Sequence, residues 1–242
     1  MKKILVLTVI VLAAASLYAQ QNPEPTKKKE IIDLSGRAND HLLIQIGNTS
    51  WAGKPDSINN GGFSKSFNIY FMFDFPFKTN PKLSVAIGPG ISSDHIKFSK
   101  TFVDIKGTTS TLRFIDQSDT NHFKRNKLVT SYLEVPVELR YTAKPLNSGK
   151  SLKFAIGAKV GTLLSAHTRY KELQNKNGGL INSYMTKESS KRYFNTTRLS
   201  AHARVGWGYF SLYGSYQITA LFKDGVAAEI RPYSIGLTIS GL

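Results

Sequence analysis

The chain has 242 residues, enough for one β domain of ordinary size, and no apolar run beyond its N-terminus reaches the roughly 18 residues a membrane helix needs, which excludes spanning helices from the mature chain. It has no cysteine, which excludes a disulfide framework, a thiolate metal site and a lipid-modified N-terminal cysteine. Its formal net charge of +16 points to phosphate-bearing lipid or acidic polymer as partner, and the export signal described next sets nucleic acid aside.

Met1-Lys2-Lys3, the apolar stretch Ile4–Leu17 and the small-residue end at Ala19 read as a secretory signal peptide over residues 1–19. Residues 20–40, with Pro23, Pro25 and the run Lys27–Lys29, read as a flexible periplasmic leader. From residue 41 to 242 the chain alternates apolar and polar residues with a period of two, the pattern of strands. The alternation predicts strands over 41–48, 65–77, 83–96, 129–141, 152–167, 193–205, 209–222 and 230–240. Val129–Tyr141 is the clearest, with Val129, Leu133, Val135, Val137 and Leu139 on one face and Glu134, Glu138 and Arg140 on the other.

The links between these strands alternate in length. Short ones fall at 78–82, 142–151 and 206–208, and long ones at 51–64, 97–127 and 168–192, with a shorter fourth at 223–229. Short turns at one end and long loops at the other, on an even number of strands, predict an eight-stranded antiparallel up-and-down transmembrane β-barrel. Thr101–Ile105 and Thr109–Ile115 still alternate and are expected to form a ribbon protruding from the second long loop.

Volume decides which face looks outward. Six large side chains from Lys65–Phe77, together with those of seven other strands, would overfill an eight-stranded interior. The polar face is rich in small residues such as Ser84, Ala86, Gly88, Gly157, Gly161 and Gly236, which suit a tight lumen. The apolar face is therefore assigned to lipid. Asp74, Glu134, Glu138, Arg140, Lys153, Lys159, Arg198, His202 and Arg204 then point inward, where ion pairs must offset their desolvation. Trp51, Tyr141, Trp207, Tyr209, Phe210, Phe222 and Tyr233 are expected at the membrane interfaces, and bulges are expected at Pro89 and Pro136.

The run YLEVPVELRY with its continuation FAIGAKVG, the segment FNIYFMFDFPFKTNPKLSVAIGPGIS and the closing YSIGLTIS resemble the PorT-like outer-membrane β-barrel family of Bacteroidota. The resemblance covers about residues 40–242 and implies an outer-membrane barrel, with type IX protein secretion as the process the family name is associated with. One departure is the ending Ser240-Gly241-Leu242, where barrels of this kind usually carry an aromatic residue.

No catalytic, cofactor-binding or metal-ligating residue is assigned from the sequence. The five histidines lack metal-ligand spacing, and no Gly-rich phosphate loop runs from a strand into a helix. Ser165–His167 and Ser200–His202 are serine–histidine pairs at strand spacing, but neither has a carboxylate placed to orient the imidazole. The long loops are basic, with Lys97, Lys100, Lys106, Arg113, Lys124, Arg125 and Lys127 in one and Arg169, Lys171, Lys176, Lys187, Lys191 and Arg192 in another. The expected function is that of a non-enzymatic, monomeric outer-membrane barrel with a structural, binding or secretion-associated role. Its expected partners are outer-membrane lipid and lipopolysaccharide, the barrel assembly machinery and secretion-system proteins. The competing readings are a lipid A acyl-transfer or deacylating enzyme and a small-solute porin.

Overall fold

The computed structural model describes residues 41–241; the expected signal peptide and leader lie outside the described residues. Alternation is realised as thirteen strands: β1 (Leu42–Ala52), β2 (Lys65–Phe71), β3 (Phe73–Pro76), β4 (Leu83–Ile87), β5 (Gly90–Phe98), β6 (Thr101–Asp104), β7 (Arg113–Asp116), β8 (His122–Thr142), β9 (Leu152–Gln174), β10 (Leu180–Ser189), β11 (Thr197–Trp207), β12 (Phe210–Gln217) and β13 (Arg231–Ser240). Eleven of them form one sheet in the order β10-β9-β11-β12-β13-β1-β2-β5-β8-β4-β3, and β9 also pairs with β8. Hydrogen bonding therefore runs round a ring of β1, β2, β5, β8, β9, β11, β12 and β13, and all of these pairings are antiparallel. The first and last strands of the ring meet from Leu43↔Ser240 to Ala52↔Arg231.

Two crossings are each split into two strands. β2 and β3 are interrupted at Met72, and β4 and β5 at Gly88-Pro89. The β8 residues between Glu134, which faces Gly90, and Val137, which faces Ile87, lie against that second break and include Pro136. Pro136 itself stays in register opposite Lys159, so the expected irregularity occurs at Pro89 and not at Pro136. The missing amide of Pro136 is tolerated because the neighbouring strand is already open beside it. The register shift in β8 falls instead at Ser131/Tyr132.

The apolar face is outermost. Phe71 is 48%, Val135 40%, Ile156 64%, Leu212 57% and Ile235 61% exposed, whereas Glu134, Glu138, Lys159 and Arg204 are buried. A sheet with its oily side outward and its charges inward is stable only where the outer medium is hydrocarbon. On β8 this belt runs from Leu133 to Tyr141, close to the 9–11 residues a tilted strand needs to cross a bilayer. The 21 residues of β8 and 23 of β9 continue well past it, to His122 and Gln174. β9, β10 and the upper part of β8 thus rise as a wall beyond the belt, which accounts for much of the expected loops 97–127 and 168–192.

The β6–β7 ribbon forms as expected but does not protrude. It folds back over the ring, with Val103 and Ile105 fully buried beside Trp51, Ile58, Phe98, Leu112 and Phe222. Tyr170 Oη donates to Val103 O at 2.7 Å, and Leu112 N to Val226 O at 2.9 Å. Trp51 and Phe222 are correspondingly not interfacial: their rings are edge-to-face at 6.0 Å inside this apolar cap. Tyr141, Trp207, Tyr209, Phe210 and Tyr233 are exposed.

A charge on the belt should be costly in proportion to its depth. Val135→Arg is expected to reduce folding stability by about 2–4 kcal/mol, read from urea unfolding in lipid vesicles; an unchanged midpoint would place Val135 outside the hydrocarbon.

Candidate functional site

The inward side chains form two stacked ion clusters. In the upper one, Arg198 Nη1 on β11 lies 2.9 Å from Asp94 Oδ2 on β5 and 3.3 Å from Glu134 Oε1 on β8. Tyr70 Oη donates to Glu134 Oε2 at 2.7 Å, and Lys159 Nζ donates to Tyr70 Oη at 3.1 Å and to Gln45 Oε1 at 3.2 Å. The Arg198 guanidinium lies 4.8 Å from the centre of the Tyr132 ring. In the lower cluster Glu138 accepts from Arg140 Nε at 2.7 Å, Arg204 Nη2 at 3.0 Å and His202 Nε2 at 3.0 Å. Arg140 also faces Asp74 at 3.6 Å, and Ser84 Oγ donates to Asp74 at 2.7 Å.

The local sequence explains why these groups fit. Gly161 and Gly157 stand directly opposite Glu134 and Glu138 in the β8–β9 register. A Cβ on Gly161 would lie 2.7 Å from Glu134 Cγ, and one on Gly157 only 2.0 Å from Val137 O. Each buried glutamate therefore has a glycine beside it that leaves room for its cationic partners. Sequence reasoning put Glu134, Glu138, Arg140, Lys159, Arg198, His202 and Arg204 in the lumen but missed Asp94, whose place on the same face as Ser92 was the available signal.

The serine–histidine pairs divide differently from the sequence expectation. His202 does have a carboxylate beside it, Glu138, but Ser200 is not hydrogen-bonded to it. His167 Nδ1 has no hydrogen-bond partner among the described residues. A third pair at the same spacing, Ser93–His95, was passed over in the sequence and is the bonded one. His95 Nε2 and Ser93 Oγ are 3.2 Å apart, Ser93 Oγ and Ser131 Oγ 3.1 Å, and Lys127 Nζ and His95 Nδ1 3.3 Å. Among the described residues no cluster of three or more His, Asp or Glu side chains could hold a metal ion.

Several acidic groups of the outer end are already engaged. Lys124 pairs with Glu172 at 3.3 Å and Lys176 with Asp119 at 2.9 Å. The hydroxyl and amide of Ser118 hold the Asp116 carboxyl below the usual range.

A closed antiparallel ring with lipid-facing apolar residues and a charged, filled lumen defines an outer-membrane β-barrel protein. Residues 30–223 match the outer membrane protein beta-barrel domain, and the chain belongs to that family. It is an outer-membrane protein. Its fold is distantly similar to the crystal structure of Ail, the attachment invasion locus protein of Yersinia pestis, at 14% identity and a TM-score of 0.35, covering 82% of this chain and 94% of that one. The Ail backbone structure in a phospholipid bilayer nanodisc is similar at 16% identity and a TM-score of 0.31, covering 84% and 99%. A mutant porin of Rh. blastica is similar at 7% identity and a TM-score of 0.20, covering 82% and 99%. No curated protein matches the chain in sequence.

Removing one partner from a buried ion cluster leaves the others uncompensated. Glu138→Ala should cost about 3–5 kcal/mol, measured by urea unfolding in vesicles, and Glu138→Gln, which keeps an acceptor, should cost less. A loss below about 1 kcal/mol for the alanine variant would mean that water already solvates the lumen cations.

Proposed function

We propose that this protein is a monomeric, non-enzymatic eight-stranded outer-membrane barrel of the PorT-like kind, which acts through the binding surface it presents outside the membrane. The observation that carries this reading is the combination of a filled lumen with a raised wall. Ion clusters occupy the ring, the apolar cap covers its outer end, and β8, β9 and β10 continue beyond the belt. The placing of the ring's long loops on the cell's outer side follows from the bacterial pattern of short periplasmic turns. A protein-secretion component is a role such a surface fits, with secretion-system proteins as its partners, and assembly by the barrel machinery is proposed with it.

The enzyme reading has less support. Lys127 Nζ can only donate, so His95 Nδ1 accepts and the imidazole proton sits on Nε2, aimed at Ser93 Oγ. In that tautomer His95 cannot take the serine proton. His202 is buried between Glu138 and the lumen cations, out of reach of an acyl chain in the bilayer.

The purified protein should show a fast-migrating unboiled form on a gel and no single-channel steps in planar bilayers. Steady conductance would overturn the closed-lumen reading in favour of a small-solute porin. Strains carrying His167→Ala or His202→Ala are expected to keep the parental lipid A mass profile; a shifted profile would establish the lipid-modifying enzyme instead.

A further inference from the structure

The outward faces of β2, β5, β8, β9 and β10 carry a run of neighbouring cations. Lys97 is the direct partner of Lys127, Lys127 of Arg169, and Arg169 of Lys187. Lys65 joins the row from β2, opposite His95 and beside Lys97. Direct cross-strand partners of like charge repel, and this row holds three such pairs in succession. Among the described residues none of the five is in an ion pair. Nearby carboxylates are turned elsewhere: Asp94 points inward to Arg198, Glu172 bonds Lys124 and Lys171, and alternation along β10 puts Glu188 on the face opposite to Lys187.

The layers beneath the row are ordered by polarity. Immediately below it Ser131, Ser93, His95 and Lys127 form a continuous hydrogen-bonded chain. Below that, Phe67, Ile91, Leu133 and Leu164 are exposed at the top of the lipid-facing belt. Above it Lys97, Lys127 and Arg169 line a concave pocket of about 780 Å³, together with Lys100, Arg125 and Lys171. Hydrocarbon, then hydroxyl and imidazole groups, then paired cations follow the sequence of an acyl chain, a sugar and its phosphate in an anionic glycolipid.

We propose that this wall is a binding site for the phosphate groups of an outer-leaflet glycolipid, held by Lys65, Lys97, Lys127, Arg169 and Lys187. The site lies on the flank of the strands at the membrane surface, not on the cap, so its ligand is a lipid of the surrounding leaflet and not a soluble anion. Charge-assisted bonds from adjacent strands neutralise the row and fix the lipid beside the wall. This inference rests on the barrel reading and on its orientation.

The test uses full-length protein in phosphatidylcholine nanodiscs containing either bisphosphorylated or dephosphorylated lipid A, with bound lipid counted by native mass spectrometry. The protein should retain the bisphosphorylated form selectively. The triple variant Lys97→Gln/Lys127→Gln/Arg169→Gln should weaken that retention about a hundredfold, from the usual contribution of each basic side chain near an anionic surface. Lys106→Gln/Arg113→Gln/Lys223→Gln, with the same charge removed from the cap region, should leave it unchanged. Equal retention of both lipids, or a loss below about threefold in the wall variant, overturns the site. Full displacement by inorganic pyrophosphate, with equal affinity in the absence of acyl chains, overturns the lipid as its source. Heat-modifiable migration is scored on every sample: its loss in the parent protein indicts the barrel reading, whereas its retention with unselective lipid binding indicts the site alone.

Discussion

The structure depends on the pairing of β8 with β9, which runs from His122↔Gln174 to Thr142↔Lys153. Inside a bilayer an unpaired backbone amide has no water to turn to, so a sheet survives there only if its two edges find each other. The edges meet where β1 pairs with β13, and β8 with β9 is the longest pairing of the ring they close. β5 and β4 complete the other side of β8, and β11 and β10 complete the other side of β9 in turn. The change of partner along β9, from β11 near the belt to β10 beyond it, is what carries the membrane ring up into a wall.

Closing the ring creates the second problem, a narrow interior filled with charge. Asp74, Asp94, Glu134 and Glu138 are set against Arg140, Lys153, Lys159, Arg198 and Arg204, so the lumen is nearly balanced without any solute. The fit requires glycine at 157 and 161, because a side chain there would occupy the space of the glutamates or press on β8. Pairing, charge balance and small residues are thus one solution: the register that closes the ring also brings each glutamate opposite a glycine.

With the interior committed to stability, chemistry at the surface falls to the wall and the cap. The cap is a small apolar core of its own, centred on Trp51 and the rings of Phe98, Phe114 and Phe222. It draws in the ribbon expected to protrude, because Val103 and Ile105 bury fully over the mouth, where the ring leaves apolar side chains without lipid. The unneutralised cations are left on the wall, one strand apart, above the lipid-facing belt.

Much of this was legible in the alternation. Period two gave the main strand crossings, the volume of the Phe67–Phe77 face against the small polar face fixed which side meets lipid, and the same parity named most of the lumen ions. Their pairing was not legible, because Arg198 with Asp94 and Glu138 with Arg204 are set by strand order and tilt around a ring. Trp51 and Phe222 were misplaced for a related reason: an aromatic at the end of a strand satisfies a membrane interface and an apolar cap equally well, and only the fold of the connecting segments decides between them. Four of the five cations of the row were likewise scattered over links read as loops, and only Lys65 stood in an expected strand. By itself the sequence determined a lipid-facing antiparallel sheet with a charged interior, since side-chain alternation is local. The cap, the wall and the row of cations were decided by tertiary structure alone, since each depends on the register between strands far apart in the chain.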